Sequence, residues 1–524
     1  MDTADPHPGF QILSRLSLAN LARARVDLDY LLDSVLAAPP AADVYLQLLE
    51  QARLPLGFIQ DHLAQSYANK SLPLDENEEE VFQRVVAMWR KISFLYADCA
   101  RKHHWSSGNG NAERAALIFH RCIYYNGMAV FEHHRARRTL PAGLWLELHR
   151  YYANAEKWGL ATIFVPDALD HIARGSHCAA LVAGLILVEL AGSYSLPVRD
   201  LMLVRRWSIQ WAHLVAIHPF GPEEALPLLV IDLGQDSGLS VMPDRTRREN
   251  LRRLDVSLLR QRIGHVRSLL KENIIPTEFV ADNDYSAEHY GRLLKNLARP
   301  WSLFRPARAY RRHKASGPSK ICAGIEAIHY FVSGKEFAQP VEANLYSRQD
   351  FEALFAFRRT IQTTQPMVYL QGSMGLACET WEMLDQSATG FRLMRASFGR
   401  RIEPGQLLAI RAGDSEAYLL VTVAWLMQEQ TGALLAGLAA LPGKPQAVAV
   451  RRVWQQSESA VPFERGFLLP AVPAINAEQT IILPPGWFHP NSLVEVYTDK
   501  SWCVRLVRLL ADGPDFERAT FVAS

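Results

Sequence analysis

Trp381-Glu382-Met383-Leu384-Asp385-Gln386-Ser387-Ala388-Thr389-Gly390-Phe391-Arg392-Leu393 reads as strand, turn, strand. Asp and Ser side chains hydrogen-bond to nearby backbone and initiate turns. Gly at the end of the run permits either positive φ or the close approach of another chain. Upstream stands Arg308-Ala309-Tyr310-Arg311-Arg312, which contains Arg-x-x-x-Arg and follows Arg305. Guanidinium groups keep their charge and present a planar fork that matches phosphate. The first run therefore offers a small polar floor and the second a pair of cations.

The surrounding sequence is punctuated as an all-β region. Ile321–Val332, Thr380–Met394, Gln406–Arg411, Tyr418–Met427 and Ala433–Leu441 are candidate strands, each bounded by Gly, Pro, Asp or Ser. Residues from about 448 to 524 add further strands, with Ala511-Asp512-Gly513-Pro514-Asp515 turning the last pair. Such regular spacing predicts a barrel or compact sandwich. A helix is expected over Ser347–Gln362, on the spacing of Phe351, Leu354, Phe355 and Arg358.

In order and residue type, the stretch from about 302 to 445 resembles the PilZ family, small antiparallel β-barrels that bind cyclic di-GMP. The resemblance implies that Arg308 and Arg312 hold phosphate and stack on guanine, with Arg305 and Arg311 as substitutes if the register slips. It implies that Asp385, Ser387 and Gly390 form the base-reading floor. The sequence departs from the family in one respect: Arg312 and Asp385 are 73 positions apart (385 minus 312). The excess is read as an insertion over about 333–378, tolerable because loop-closure cost rises slowly with length.

Residues 1 to about 218 read as helical throughout. Val81, Val85, Trp89, Ile92 and Tyr96 recur at helical spacing, and Gly143–Gly159 looks like one helix of a tetratricopeptide hairpin. No 34-residue period emerges, so an irregular helical array is expected. Cys178–Ala191 is the most apolar stretch, but it is too short to cross a bilayer and reads as a buried helix. Leu228–Ile231 and Leu239–Met242 read as a β-hairpin around a Gly-Asp-rich turn. Helical periodicity then returns at Leu251–Asn273 and about Ala287–Ala298, ending before Pro300.

The expected fold is thus α+β and multidomain. A helical array (1–218) precedes a hairpin and basic helical connector (219–300). These lead to the PilZ-like barrel with its insertion (301–447) and a β extension (448–524). The chain has 524 residues, about half of them apolar, and a formal charge of +2, which gives no global reason to expect nucleic-acid binding. The basic stretch Arg245–Arg262 lacks interleaved aromatics and reads as an exposed helix face. Six widely spaced cysteines read as reduced thiols in a cytoplasmic protein. The histidines at 103–104, 120 and 133–134 do not have metal-ligand spacing. Gly108-Asn109-Gly110 lacks the lysine of a phosphate loop, and Asp232 and Asp236 are explained by their turn.

The function expected from this sequence is a bacterial receptor without enzymatic activity or cofactor. The barrel would bind cyclic di-GMP, and the helical array would bind a protein partner. The alternative is a ligand-free PilZ-like scaffold acting only through protein contacts.

Overall fold

The structure is a computed structural model. It describes residues 7–102, 109–171, 174–220, 228–241, 248–282, 285–304, 311–340, 378–396, 398–413, 415–453 and 462–524. The chain divides into two compact units, Met1–Arg308 with Met427–Thr431 and Ala309–Leu426 with Gly432–Ser524.

The first unit opens with α1 (Pro8–Arg15), α2 (Leu21–Ala37), α3 (Ala42–Ala64), α4 (Glu76–Lys102), α5 (Asn109–Arg135) and α6 (Leu144–Lys157). Helix α4 shows why these segments are helical. Asp75 and Glu78 each accept from the other's backbone N–H, a capping box that occupies donors at the helix start. Phe82, Val85, Trp89, Ile92 and Tyr96 then form one buried stripe. Leu144, Trp145, Leu148, Tyr152 and Ala155 do the same on α6.

The expectation of an all-helical first 218 residues is corrected at 165–176. There β1 (Val165–Pro166) pairs with β2 (Gly175–Ser176). The reason is a buried ion network that pins this hairpin. Asp167 accepts from Arg53 at 2.7 Å and Arg121 at 2.9 Å, while Arg121 also donates twice to Glu50 at 3.0 and 3.1 Å. Burial raises both carboxyls. The arginine hydrogen bonds and charges outweigh it and hold Glu50 and Asp167 below the usual carboxylate range.

Helices α7 (Cys178–Leu190) and α8 (Val198–Trp211) follow. A four-stranded sheet then forms from β3 (Ala216–Pro219), β4 (Leu229–Asp232), β5 (Ser240–Val241) and β6 (Leu251–Asp255), in the order β3-β6-β4-β5. Leu251–Asp255 is therefore a strand and not the start of a helix, because it is sandwiched between β3 and β4 and pairs with both. Helix α9 (Ser257–Lys271) begins only after Asp255 accepts from the Ser257 N–H, and α10 (Ala287–Ala298) follows. Within the basic stretch, Arg252 is held by Glu156 at 3.0 Å and Arg262 by Glu278.

The carboxylate of Asp236, from the loop after β4, accepts from the backbone N–H groups of Gly143, Trp145 and Leu146 at 2.5, 2.9 and 3.2 Å. It thus caps α6 from far along the chain. One continuous apolar core runs from Ala24 to Trp301, and the Trp301 indole donates to the Leu187 carbonyl at 2.8 Å. Among the described residues no helix is long and apolar enough to cross a membrane.

The second unit holds two closed six-stranded barrels. The first contains β7 (His313–Ala323), β8 (Glu379–Ser387), β9 (Gly390–Arg395), β10 (Leu407–Arg411), β11 (Leu419–Gln428) and β12 (Leu434–Ala440). The second contains β13 (Gln446–Arg452), β14 (Glu464–Leu469), β15 (Thr480–Leu483), β16 (Leu493–Tyr497), β17 (Ser501–Asp512) and β18 (Glu517–Ala523). The strand expected over Ile321–Val332 stops at Ala323. Gly324, at φ +88°, turns the chain into α11 (Ile325–Ser333), which buries Ala327, Ile328 and His329. The helix expected at 347–362 lies outside the described residues.

The reading of all six cysteines as reduced thiols is corrected at one pair. Cys322 on β7 is disulfide-bonded to Cys378, with Cα atoms 4.7 Å apart. The cause is register: Ile321 pairs with Glu379, so the next residues outward stand opposite each other. Cys99, Cys122, Cys178 and Cys503 are free.

Candidate ligand site at the corner of the first barrel

Strands β7 and β8 carry the two sequence runs into contact. Although Arg312 and Asp385 are 73 residues apart, Arg312 donates to Asp385 Oδ1 at 2.5 Å. Lys314 stands opposite Asp385 in the ladder, and His313 opposite Gln386. On the other side β9 places Arg392 opposite Asp385, with its guanidinium 3.9 Å from Oδ2. The carboxylate sits between Arg312, at the entry to β7, and Arg392 of β9, with Lys314 across the ladder from it.

The strand geometry that aims Asp385 is irregular. The β7–β8 ladder shifts between Lys314 and Gly317, and the β8–β9 ladder shifts between Met383 and Asp385. A bulge bends its strand and redirects the side chains beside it. Gly317 has φ +138°, a conformation that other residues rarely adopt.

Ser387 and Gly390 close the turn. The Ser387 hydroxyl donates to the Gly390 carbonyl at 3.3 Å, and the Ala440 N–H donates to the Thr389 carbonyl at 2.9 Å. Gly390 is not needed for positive φ. A Cβ there would lie 2.6 Å from the Leu438 carbonyl oxygen, so the residue is glycine because β12 passes too close for anything larger.

The structure therefore brings Arg312, Asp385, Ser387 and Gly390 to one corner. Arg311 precedes the strand, is exposed, and makes no ion pair with any described residue. Arg305 and Arg308 lie outside the described residues. Sequence reasoning passed over Arg392, although its place two residues past Gly390 puts it directly across from Asp385. It also passed over the neighbouring cluster in which the Arg395 guanidinium lies 4.9 Å over the Trp381 ring and pairs with Glu379. No spacing rule finds that cluster, because Glu379 and Arg395 meet only once the hairpin is folded.

Chemically, the corner holds fixed cations around one carboxylate, with a tight turn as floor. Such a set can neutralise phosphate and accept from a base N–H. On the first unit, a groove of about 860 Å³ runs between α4, α5 and α6. Phe94, Phe119 and Trp158 line it with Arg101 and Arg150, and Phe94 and Trp158 are exposed.

Three family models match the chain. They are described as the N-terminal domain of the cyclic-di-GMP receptor FimW (residues 10–223), its middle PilZ domain (228–367) and the FimW C-terminal β-barrel domain (448–524). A curated relative is the cyclic-di-GMP receptor FimW of Pseudomonas aeruginosa, 22% identical over an alignment 491 positions long that covers 86% of this chain and 79% of that protein. No solved structure matches significantly.

Proposed function

We propose, from the premise that the chain belongs to the PilZ-domain proteins in the three-part arrangement of FimW, that it is a cyclic di-GMP receptor. The observation that carries the reading is the meeting of Arg312 with Asp385 beside the Ser387–Gly390 turn. A ligand with two phosphates needs at least two cations, and a guanine edge needs a fixed acceptor. Arg312, Arg311 and Arg308 serve the phosphates, with Arg305 next in line. Asp385 accepts from the guanine edge, and Ser387 and Gly390 shape the floor. When the ligand enters, Arg312 exchanges the Asp385 carboxylate for phosphate. Asp385 retains Arg392 as its neighbour and is freed to face a base.

Binding would thus replace the Arg312–Asp385 contact with a ligand contact, a change of local ionic partners of the kind that works as a switch in regulatory proteins. The helical unit would carry the signal onward through a protein partner in the cytoplasm, and its open groove with exposed Phe94 and Trp158 suits such a role. No catalytic step is assigned to the chain.

Calorimetric titration with cyclic di-GMP, against GTP and cyclic di-AMP, tests the receptor reading. Selective binding at micromolar concentration or tighter supports it. A folded sample giving neither heat nor thermal shift leaves the ligand-free scaffold as the reading.

A further inference from the structure

The two barrels of the second unit share one strand order. Counted from its own first strand, each closes in the cyclic order 1-2-3-6-5-4: β7-β8-β9-β12-β11-β10 in one and β13-β14-β15-β18-β17-β16 in the other. In both, an antiparallel three-strand meander is followed by a jump and a second meander that returns to the first strand. Six strands can close in many other cyclic orders, and neighbours in sequence are usually neighbours in space. Sharing the same two long-range closures, third strand to sixth and fourth to first, gives the barrels one topology, strand for strand.

That equivalence locates the second barrel's counterpart of the ligand corner. In the first barrel the corner is made by Arg312 at the entry to strand 1, Asp385 and Ser387 at the end of strand 2, and Arg392 in strand 3. In the second barrel those places are Leu441-Pro442-Gly443-Lys444-Pro445, the strand end Phe467-Leu468-Leu469 with the connection Pro470–Gln479, and Thr480–Leu483, and none contains an arginine or an aspartate. The counterpart is also filled. Gly443 has φ +95°, and a Cβ on it would lie 2.8 Å from the Pro470 carbonyl oxygen, so the entering segment rests directly on the connection. Val472 and Ala477 close that connection with reciprocal backbone hydrogen bonds of 2.8 and 3.1 Å.

The second barrel instead contacts the segment that follows β7 of the first. His329 of α11 is 3.3 Å from the Val448 carbonyl, and Glu326 pairs with Arg465 at 3.2 Å. Just after the helix, Gln339 exchanges two hydrogen bonds of 2.9 Å with the Phe463 backbone. Ile328 and Cys322 share one apolar cluster with Phe467, Ile482 and Phe516 of the second barrel.

We infer that the C-terminal barrel is a second barrel of the PilZ type whose ligand corner is closed by its own chain, and that it serves as the seat for helix α11. The ligand half of this statement rests on the receptor reading above; the seat does not. Two measurements on the full chain test it. In hydrogen exchange without ligand, the Val472 and Ala477 amides are expected to be protected, and Gly443→Ala is expected to speed them about tenfold. Exchange at open-turn rates in the wild type overturns the closed corner. Gln339→Ala with Arg465→Ala is expected to speed exchange across Ile325–Ser333 by about tenfold while β9 and β12 keep their protection. Unchanged exchange in α11 overturns the seat.

With saturating cyclic di-GMP, protection is expected to rise at the Arg312–Asp385 corner and to stay fixed at 470–477. New protection at 470–477 also overturns the closed corner. If the wild type binds no cyclic di-GMP, the receptor reading fails, and the ligand-free arms still decide the closed corner and the seat.

Discussion

Removing the Arg312 side chain separates binding from stability. The pair it forms with Asp385 spans 2.5 Å, and its side chains retain 30% and 19% of their exposure. A partly exposed pair of this kind contributes at most about 1 kcal/mol to folding. Arg392, at 3.9 Å, remains to compensate the carboxylate. Arg312→Ala should therefore lower the melting temperature only slightly.

Binding should respond differently. A charge-assisted hydrogen bond to phosphate contributes about 1.5–3 kcal/mol, which is roughly 10- to 150-fold in Kd. Part of that is offset in the wild type, because Arg312 must first leave Asp385. The expected loss is therefore near the lower end, about tenfold, with larger losses when Arg308→Ala is added. Arg312→Lys keeps the charge and loses the fork, so it should recover only part of the affinity. Calorimetry with cyclic di-GMP, paired with a thermal melt of each variant, reads both quantities. An Arg312→Ala protein that melts normally and binds within twofold of the wild type would refute the assignment of this arginine to the ligand.

Three further outcomes follow from packing and charge. Gly390→Ala places a methyl 2.6 Å from the Leu438 carbonyl and should cost about 1–3 kcal/mol, seen as a lowered denaturant midpoint; an unchanged midpoint would mean that β12 gives way freely. Four buried histidines make the first unit acid-sensitive: burial pushes His120 down to about 3 and His133, His134 and His149 to about 4, from 6.5 when unfolded. Their folded values are depressed, so the unfolded chain binds protons first as pH falls below 6.5. Stability is then lost by about 1.4 kcal/mol per pH unit for each, until the folded values are reached. Urea melts at pH 7 and pH 5 should show the midpoint falling, and equal midpoints would contradict burial of the neutral rings. Thiol titration of the unreduced, denatured chain should find the four free cysteines, and all six after reduction; six before reduction would show the Cys322–Cys378 bond absent.

The barrel could be read from the sequence because its signals are local. Asp385, Ser387 and Gly390 are turn chemistry, and the strand limits at Leu407–Arg411 and Leu434–Ala440 fall within a residue or so of their punctuation. Leu251–Asp255 misled because a five-residue apolar-basic run looks alike in helix and strand, and only pairing with β3 and β4 decides between them. Ile325–Ser333 misled for a related reason. Its apolar run continues that of β7, and only Gly324 at positive φ marks the break. The Asp385 corner was legible in residue type but not in contact, since Arg392 and Arg312 reach one carboxylate through two ladder irregularities that no single-strand pattern encodes.

The carboxylate of Asp236, lodged against the first turn of α6, bears on how this architecture is inherited. A gene fragment ending near codon 218 would encode every helix of the array and still lack the group that completes one of them, leaving three amide donors without their carboxylate. Recombination that parted the helices from the small sheet would carry a penalty at a residue neither breakpoint touches.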